Sequence, residues 1–376
     1  MSDAMDRLER WRLVLGGGEA DGTGVKLQGQ AAGMDATLEA LYDSDRGSSL
    51  GSSSPRVHRW LGDIRTYFPR STVQVMQRDA IERLGLQRML LEPELLEQVE
   101  ADVHLVATLL SLKGMIPAKT RDTARRVVGK VVEQVQRRLR DRLVAQVRGA
   151  IDRGQRNHRP KLNEIDWDRT VRKNLRTWDP ARRVLVPEKL VGHGRRGRAL
   201  KHVVLCVDQS GSMATSVVYA GIFAAVLASI PAVGLRMAVF DTALAEVTEH
   251  VSDPVDLLFS TQLGGGTDID MALTWVQGTL EKPSDTVVVL ITDLFEGGNQ
   301  ASMLRRAAAI SATGATCICL LALSDSGAPG FDRSNAQHLT DLGWATFACT
   351  PDAFPELLAA ALARRDLGRF VGGPVV

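Results

Sequence analysis

Asp208, Ser210 and Ser212 place a carboxylate and two hydroxyls at alternate positions of the run Asp208-Gln209-Ser210-Gly211-Ser212. Hard oxygen donors of this kind suit Mg²⁺ or Mn²⁺, and an octahedral ion of this class usually keeps several waters. Two later segments offer the same chemistry. Gly264-Gly265-Gly266-Thr267-Asp268 presents a hydroxyl on a flexible loop, and Thr286-Val287-Val288-Val289-Leu290-Ile291-Thr292-Asp293 ends in a carboxylate. Taken singly, each run also suits a Ser/Gly turn with an Asp capping a helix. Three of them in one chain ask for a shared explanation.

That explanation depends on the elements that carry them. His202-Val203-Val204-Leu205-Cys206-Val207 is a nearly continuous apolar run, the pattern of a parallel strand covered on both faces, and Thr286–Ile291 is a second. In an open α/β sheet, ligands bind outside the carboxyl ends of strands, where Asp208 and Asp293 fall. The pattern from residue 200 onward predicts strands at 202–208, 235–240, 286–292, 315–323 and 344–349. Helices are predicted near 216–229, 267–280, 299–313, 334–342 and 351–364. Such alternation requires a mostly parallel sheet with helices on both faces. A short strand near 245–250 follows 235–240 too closely for a crossover, so it is expected to pair antiparallel as a sheet edge.

The DxSxS run, the GGTD loop and the strand-terminal TD, in that order, resemble the metal-ion-dependent adhesion site of von Willebrand factor A (VWA) domains. The resemblance covers about Leu200 to Arg364. It implies that Ser210, Ser212 and Thr267 supply hydroxyl oxygens to Mg²⁺ or Mn²⁺, with Asp208 and Asp293 acting directly or through water. It also implies a sixth position left for a carboxylate from a partner. Asp241, Asp268 and Glu296 are expected to support or cap rather than to coordinate.

Length and charge bound the rest. At 376 residues the chain exceeds what one core normally serves. The net charge of +2 conceals an asymmetry. Residues 1–112 hold 12 Lys and Arg against 17 Asp and Glu, residues 113–198 hold 25 against 9, and residues 199–376 hold 9 against 18. The middle is strongly basic and the metal-bearing part acidic. Cys206, Cys317, Cys319 and Cys349 all fall in expected strands without a CxxC spacing, which suits reduced thiols and a cytoplasmic protein. No apolar signal core follows Met1, and no run is expected to reach a membrane span.

The expected organisation is an all-α domain at 1–153, a basic connector at 154–199, an α/β VWA domain at 200–364 and a C-terminal tail at 365–376. A helix is expected from Asp3 to Leu15, ended by Gly16-Gly17-Gly18, and residues 44–54 read as a flexible connection. Trp60, Ile64, Tyr67 and Phe68 share a face after Pro55. Leu86 to Leu112 gives one or two helices. A long helix from Pro117 to about Ile151 carries Val128, Val131, Val135, Leu139, Leu143 and Val147 at spacings of three and four. In the connector, Ile165, Asp166, Thr170, Arg172, Lys173 and Arg176 loosely fit an ID…TRRxxR segment, resembling the CoxE-like branch of bacterial VWA proteins. Trp167 and Trp178 are expected to pack this stretch on a neighbour.

The CoxE-like and ViaA-like resemblance implies an adaptor working with a MoxR-type AAA+ ATPase, its metal engaging an acidic protein client. The alternative is RNA binding, favoured by the basic middle and by the helical-plus-VWA plan of Ro-type proteins. Enzyme chemistry is not expected. No Gly-Lys-Ser/Thr closes a phosphate loop, Ser210 lacks the GxSxG frame, and no general base accompanies the metal loops.

Overall fold

Burial of a few apolar stripes accounts for the N-terminal half. The computed structural model describes residues 7–15, 25–42, 54–83, 90–154, 162, 165–180, 182–192, 201–261, 265–325 and 330–371. Gly16–Gly18, residues 44–53, most of the stretch 154–164 and Gly264 lie outside them, as do the turns expected there. The chain divides into two compact units, Met1–Glu133 and Gln134–Val376.

The first unit is helical: α1 (Arg7–Leu15), α2 (Gly29–Tyr42), α3 (Ser54–Tyr67), α4 (Arg70–Arg83), α5 (Pro93–Gln98), α6 (Val103–Ser111) and the start of α7 (Ala118–Gly154). On α3, Val57, Trp60, Leu61 and Ile64 recur at helical spacing and bury against Val73, Met76 and Ala80 of α4. The Trp60 indole donates to the Thr37 carbonyl at 3.1 Å, so the large ring is buried with its polar atom satisfied. Gly33 is required where α2 meets α3, since a Cβ there would lie 2.5 Å from the Tyr67 ring. Asp102 caps α6 by accepting the Leu105 N–H at 2.7 Å. The 37-residue α7 is about 55 Å long. All six residues of its expected stripe, Val128 to Val147, are buried.

In the second unit, α8 (Trp167–Lys173) and a ribbon of β1 (Trp178–Asp179) and β2 (Val184–Leu185) precede the sheet. The sheet contains β3 (Lys201–Asp208), β4 (Val233–Phe240), β5 (Leu244–Glu246), β6 (Thr286–Ile291), β7 (Thr316–Leu323) and β8 (Ala345–Cys349) in the order β5-β4-β3-β6-β7-β8. Only β5 runs antiparallel, at the edge beside β4, as its short connection demands. Between them lie α9 (Ala214–Ala228), α10 (Pro254–Ser260), α11 (Ile269–Thr279), α12 (Gln300–Ala312) and α13 (Arg333–Asp341), and after β8 come α14 (Phe354–Leu362) and α15 (Gly368–Val371). One face of the sheet packs Cys206, Phe240, Leu290 and Cys319 against Ile269, Leu273, Met303, Ala307 and Trp344. Elsewhere α9 meets α14 through Phe223 and Phe354, whose ring centres are 4.5 Å apart. All four cysteines are free and buried. The chain passes from β3 to β4 on one side and later places β6 on the other. The order therefore reverses between β3 and β6, the crevice where open α/β sheets take ligands.

Two sequence expectations require correction. Gly211–Ala228 is an 18-residue helical stretch of mean hydropathy 1.7, so one run does reach the length and composition of a span. In the fold it is a core helix, with Val217, Val218, Ile222, Phe223 and Leu227 buried. Trp167 and Trp178 do not anchor the connector: they are 53% and 48% exposed. The anchors are Ile165, Thr170, Asn174 and Val191, all buried. Asn174 donates to the carbonyls of Thr170 (2.7 Å) and Lys189 (2.8 Å) and accepts from the N–H groups of Glu188 (2.9 Å) and Lys189 (3.0 Å). A single amide side chain here stands in for a small core. In the expected tail, α15 packs on β8 through Phe370 and Phe347.

Candidate metal centre

Register explains how residues far apart in sequence meet. Val207 of β3 pairs with Ile291 of β6, so Asp208 and Thr292 leave the sheet side by side. Asp208 is fully buried, and its two oxygens are held separately. One accepts the Ser210 N–H at 2.8 Å; the other accepts the Thr292 hydroxyl at 2.8 Å. Ser210 and Ser212 hydroxyls lie 3.2 Å apart, and Ser212 donates to Asp293 at 2.6 Å. Four of the five expected ligands are thus joined by hydrogen bonds. They form a corner that runs from buried Asp208 to exposed Ser212.

Thr267 is tied by its main chain to the loop that follows Asp293. Its carbonyl accepts the Gly297 N–H at 2.8 Å, four residues beyond Asp293. The approach is close enough that a Cβ at Gly297 would stand 3.0 Å from that carbonyl oxygen. Glu296 ties the loops further, accepting the Ile269 N–H at 2.7 Å and so capping α11, where Asp268 accepts the Met271 N–H at 2.8 Å. Asp241 receives the Ala243 N–H at 2.7 Å, and its carbonyl accepts from Asp268 N–H at 2.8 Å. All three acidic residues therefore make the supporting and capping bonds expected of them. Gly265, at φ +118°, turns the loop past Asp241 in a conformation that L side chains rarely adopt.

Burial dominates the electrostatics of the corner. Burial pushes the Asp208 carboxyl up to about 6 against its bonds from Ser210 and Thr292, with the neighbouring Asp293 charge adding to the rise. Burial likewise raises Glu296, reinforced by Asp268 and Asp270. Among the described residues no group of three or more His, Cys, Asp or Glu side chains forms a metal cluster. The side chains joined here are instead two carboxylates, Asp208 and Asp293, and two hydroxyls, Ser210 and Ser212, hard oxygens whose chemistry fits Mg²⁺ or Mn²⁺ and offers nothing to a soft ion.

Sequence reasoning missed Thr292. Its hydroxyl donates to Asp208 and accepts the Leu294 N–H at 3.1 Å, while Leu294 itself is buried at φ +65°. Its only signal was its place beside Asp293 at the strand end. Asn335 was also missed. It donates to the Leu294 carbonyl at 3.0 Å, and the Asp332 N–H donates to the Asp293 carbonyl at 2.9 Å. The start of α13 thereby braces the loop.

Comparison with known proteins agrees with this architecture. The family described as VWA domain containing CoxE-like protein matches residues 135–358, beginning where the second unit begins. The uncharacterized protein YehP of Escherichia coli (strain K12) is 32% identical over 365 residues, covering 94% of this chain and 96% of YehP. Among solved structures, a von Willebrand factor type A protein from Catenulispora acidiphila aligns with 43% of this chain and 42% of its own, at 16% identity and TM-score 0.33. An aerotolerance-related membrane protein from Bacteroides fragilis aligns with 44% of this chain and 99% of its own, at 15% identity and TM-score 0.35. The family match over more than half of the residues and the relative spanning nearly all of both chains establish that this chain belongs to the CoxE-like VWA proteins.

Proposed function

We propose that the protein is a binding adaptor rather than an enzyme, using a Mg²⁺ or Mn²⁺ ion held by Asp208, Ser210, Ser212, Thr267 and Asp293 to engage an acidic residue of a protein partner. The observation that carries this reading is the hydrogen-bonded corner of Asp208, Ser210, Ser212 and Asp293 at the switch point of the sheet. A dication there supplies a Lewis-acidic position for an incoming carboxylate. The protein's own residues hold the oxygens in place and keep one side of the corner open at Ser212 and Phe295, both exposed. The exposed Phe295 gives an arriving protein an apolar contact beside the charged one.

On the same proposal the adaptor works in the cytoplasm with a MoxR-type AAA+ ATPase, the partner class that the family suggests. The test is co-expression of the chain with the MoxR-type ATPase of the same genome, followed by size-exclusion chromatography in Mg²⁺ and in chelator. Co-elution supports the ATPase partnership. Separate elution under both conditions contradicts it. Loss of a third, client protein in chelator, repeated in Asp208→Ala, assigns client capture to the metal corner.

A further inference from the structure

The connector is built inside out. Its interior consists of main-chain and amide hydrogen bonds: the Asp166 N–H to the Val191 carbonyl at 2.8 Å, Thr170 to both polar groups of Val191, Thr177 to the Val186 carbonyl at 2.7 Å, and the four bonds of Asn174. Ile165 and Val191 are buried, but six of its large apolar side chains face outward. Trp167, Val171, Leu175, Trp178, Val184 and Val186 are between 40% and 62% exposed. Single exposed apolar residues are ordinary, but six within twenty positions mark a surface that something covers. Trp167, Val171 and Leu175 recur every fourth residue along α8 and the turn that continues it.

Charge indicates the kind of cover. Arg172 and Lys173 follow Val171, Arg176 follows Leu175, and Arg182 and Arg183 precede Val184; all are exposed. Arg169 and Arg176 are paired with Asp166 and Glu188. Arg172, Lys173 and Arg183 have no ion pair among the described residues. Cations around an apolar stripe complement acidic residues around an apolar stripe. Aliphatic side chains such as Val171, Leu175, Val184 and Val186 offer nothing to phosphates or base edges, whereas they match the leucine face of an amphipathic helix. We infer that residues 165–192 form a docking surface for an acidic amphipathic helix of a partner protein, separate from the metal corner and independent of whether that corner binds an ion.

Fluorescence anisotropy on the full chain tests this with three labelled probes. They are a helical peptide with a leucine stripe flanked by glutamates, the same peptide with lysines for glutamates, and a single-stranded RNA. The glutamate peptide is expected to bind, more weakly at high salt. Its affinity is expected to fall roughly tenfold or more in Trp167→Ser/Leu175→Ser and again in Arg172→Glu/Lys173→Glu. Both variants alter exposed side chains, and unchanged melting temperatures confirm that they fold. Any Mg²⁺-dependent rise in melting temperature is expected to be the same in them as in the parent. Equal binding of the lysine peptide, or glutamate-peptide binding that is absent or unaffected by both variants, overturns the inference. So does RNA bound more tightly than the glutamate peptide and released by the charge variant. A dimer of the parent that dissociates in Trp167→Ser/Leu175→Ser overturns it too, because a second copy then covers the surface.

Discussion

Thr292 connects the two halves of the corner: its hydroxyl donates to Asp208, 84 residues earlier, and receives the N–H of Leu294. Thr292→Val removes both bonds from a fully buried position and leaves an Asp208 oxygen without its donor. We expect a loss of about 1–3 kcal/mol, read by urea denaturation in the absence of metal. A loss below a few tenths would show that the bond does not brace the loop. Gly297→Ala tests the other seam. Its Cβ would meet the Thr267 carbonyl at 3.0 Å and force the two loops apart. The expected outcome is a weaker Mg²⁺-induced rise in melting temperature with the fold retained. An undiminished rise would place Thr267 outside the metal's reach. The grouping of Asp208, Ser210 and Ser212 was readable because three oxygen donors alternate in one short run. The bracing by Thr292 and Asn335 was not, because each depends on a partner brought close only by strand register or by the placement of α13.

Elements were legible where one physical signal dominates. β6 and most of β3 and β7 are continuous apolar runs because both faces of the central sheet are covered, and α7 shows its stripe over six valines and leucines. The seven-residue α10 and the two-residue strands β1 and β2 are too short to show a period. The connector misled for a different reason. Tryptophan ordinarily signals burial, but here Asn174 carries the structure and the tryptophans stay outside. Asn174→Ala should remove four hydrogen bonds and speed amide exchange at Glu188 and Lys189 while leaving β3 and β6 protected. Uniform exchange would mean the connector is not held by this residue. Trp344 is the counter-case, buried in the core with its indole donating to the Ala307 carbonyl at 3.1 Å. Trp344→Ala is expected to cost about 3–5 kcal/mol in thermal or denaturant unfolding.

Across the whole molecule, charge is partitioned along the chain: 25 cationic against 9 acidic residues at 113–198, and the reverse balance, 9 against 18, from 199 onward. The proposed capture of a partner's carboxylate by so acidic a region requires a cation, so that reading stands or falls with the metal. The purified chain alone should therefore show no turnover of ATP or of a phosphate ester. Turnover that disappears in Ser210→Ala would replace the adaptor reading with an enzyme. The most direct test of the central claim is calorimetric titration of Mn²⁺ into chelator-stripped protein, comparing the parent chain with Asp208→Ala. The account predicts saturable binding of one ion per chain in the parent, accompanied by a stabilisation of about 2.7 kcal/mol at a hundredfold excess over the dissociation constant, and neither effect in the variant. Binding that is absent from the parent, or unchanged in Asp208→Ala, would contradict it.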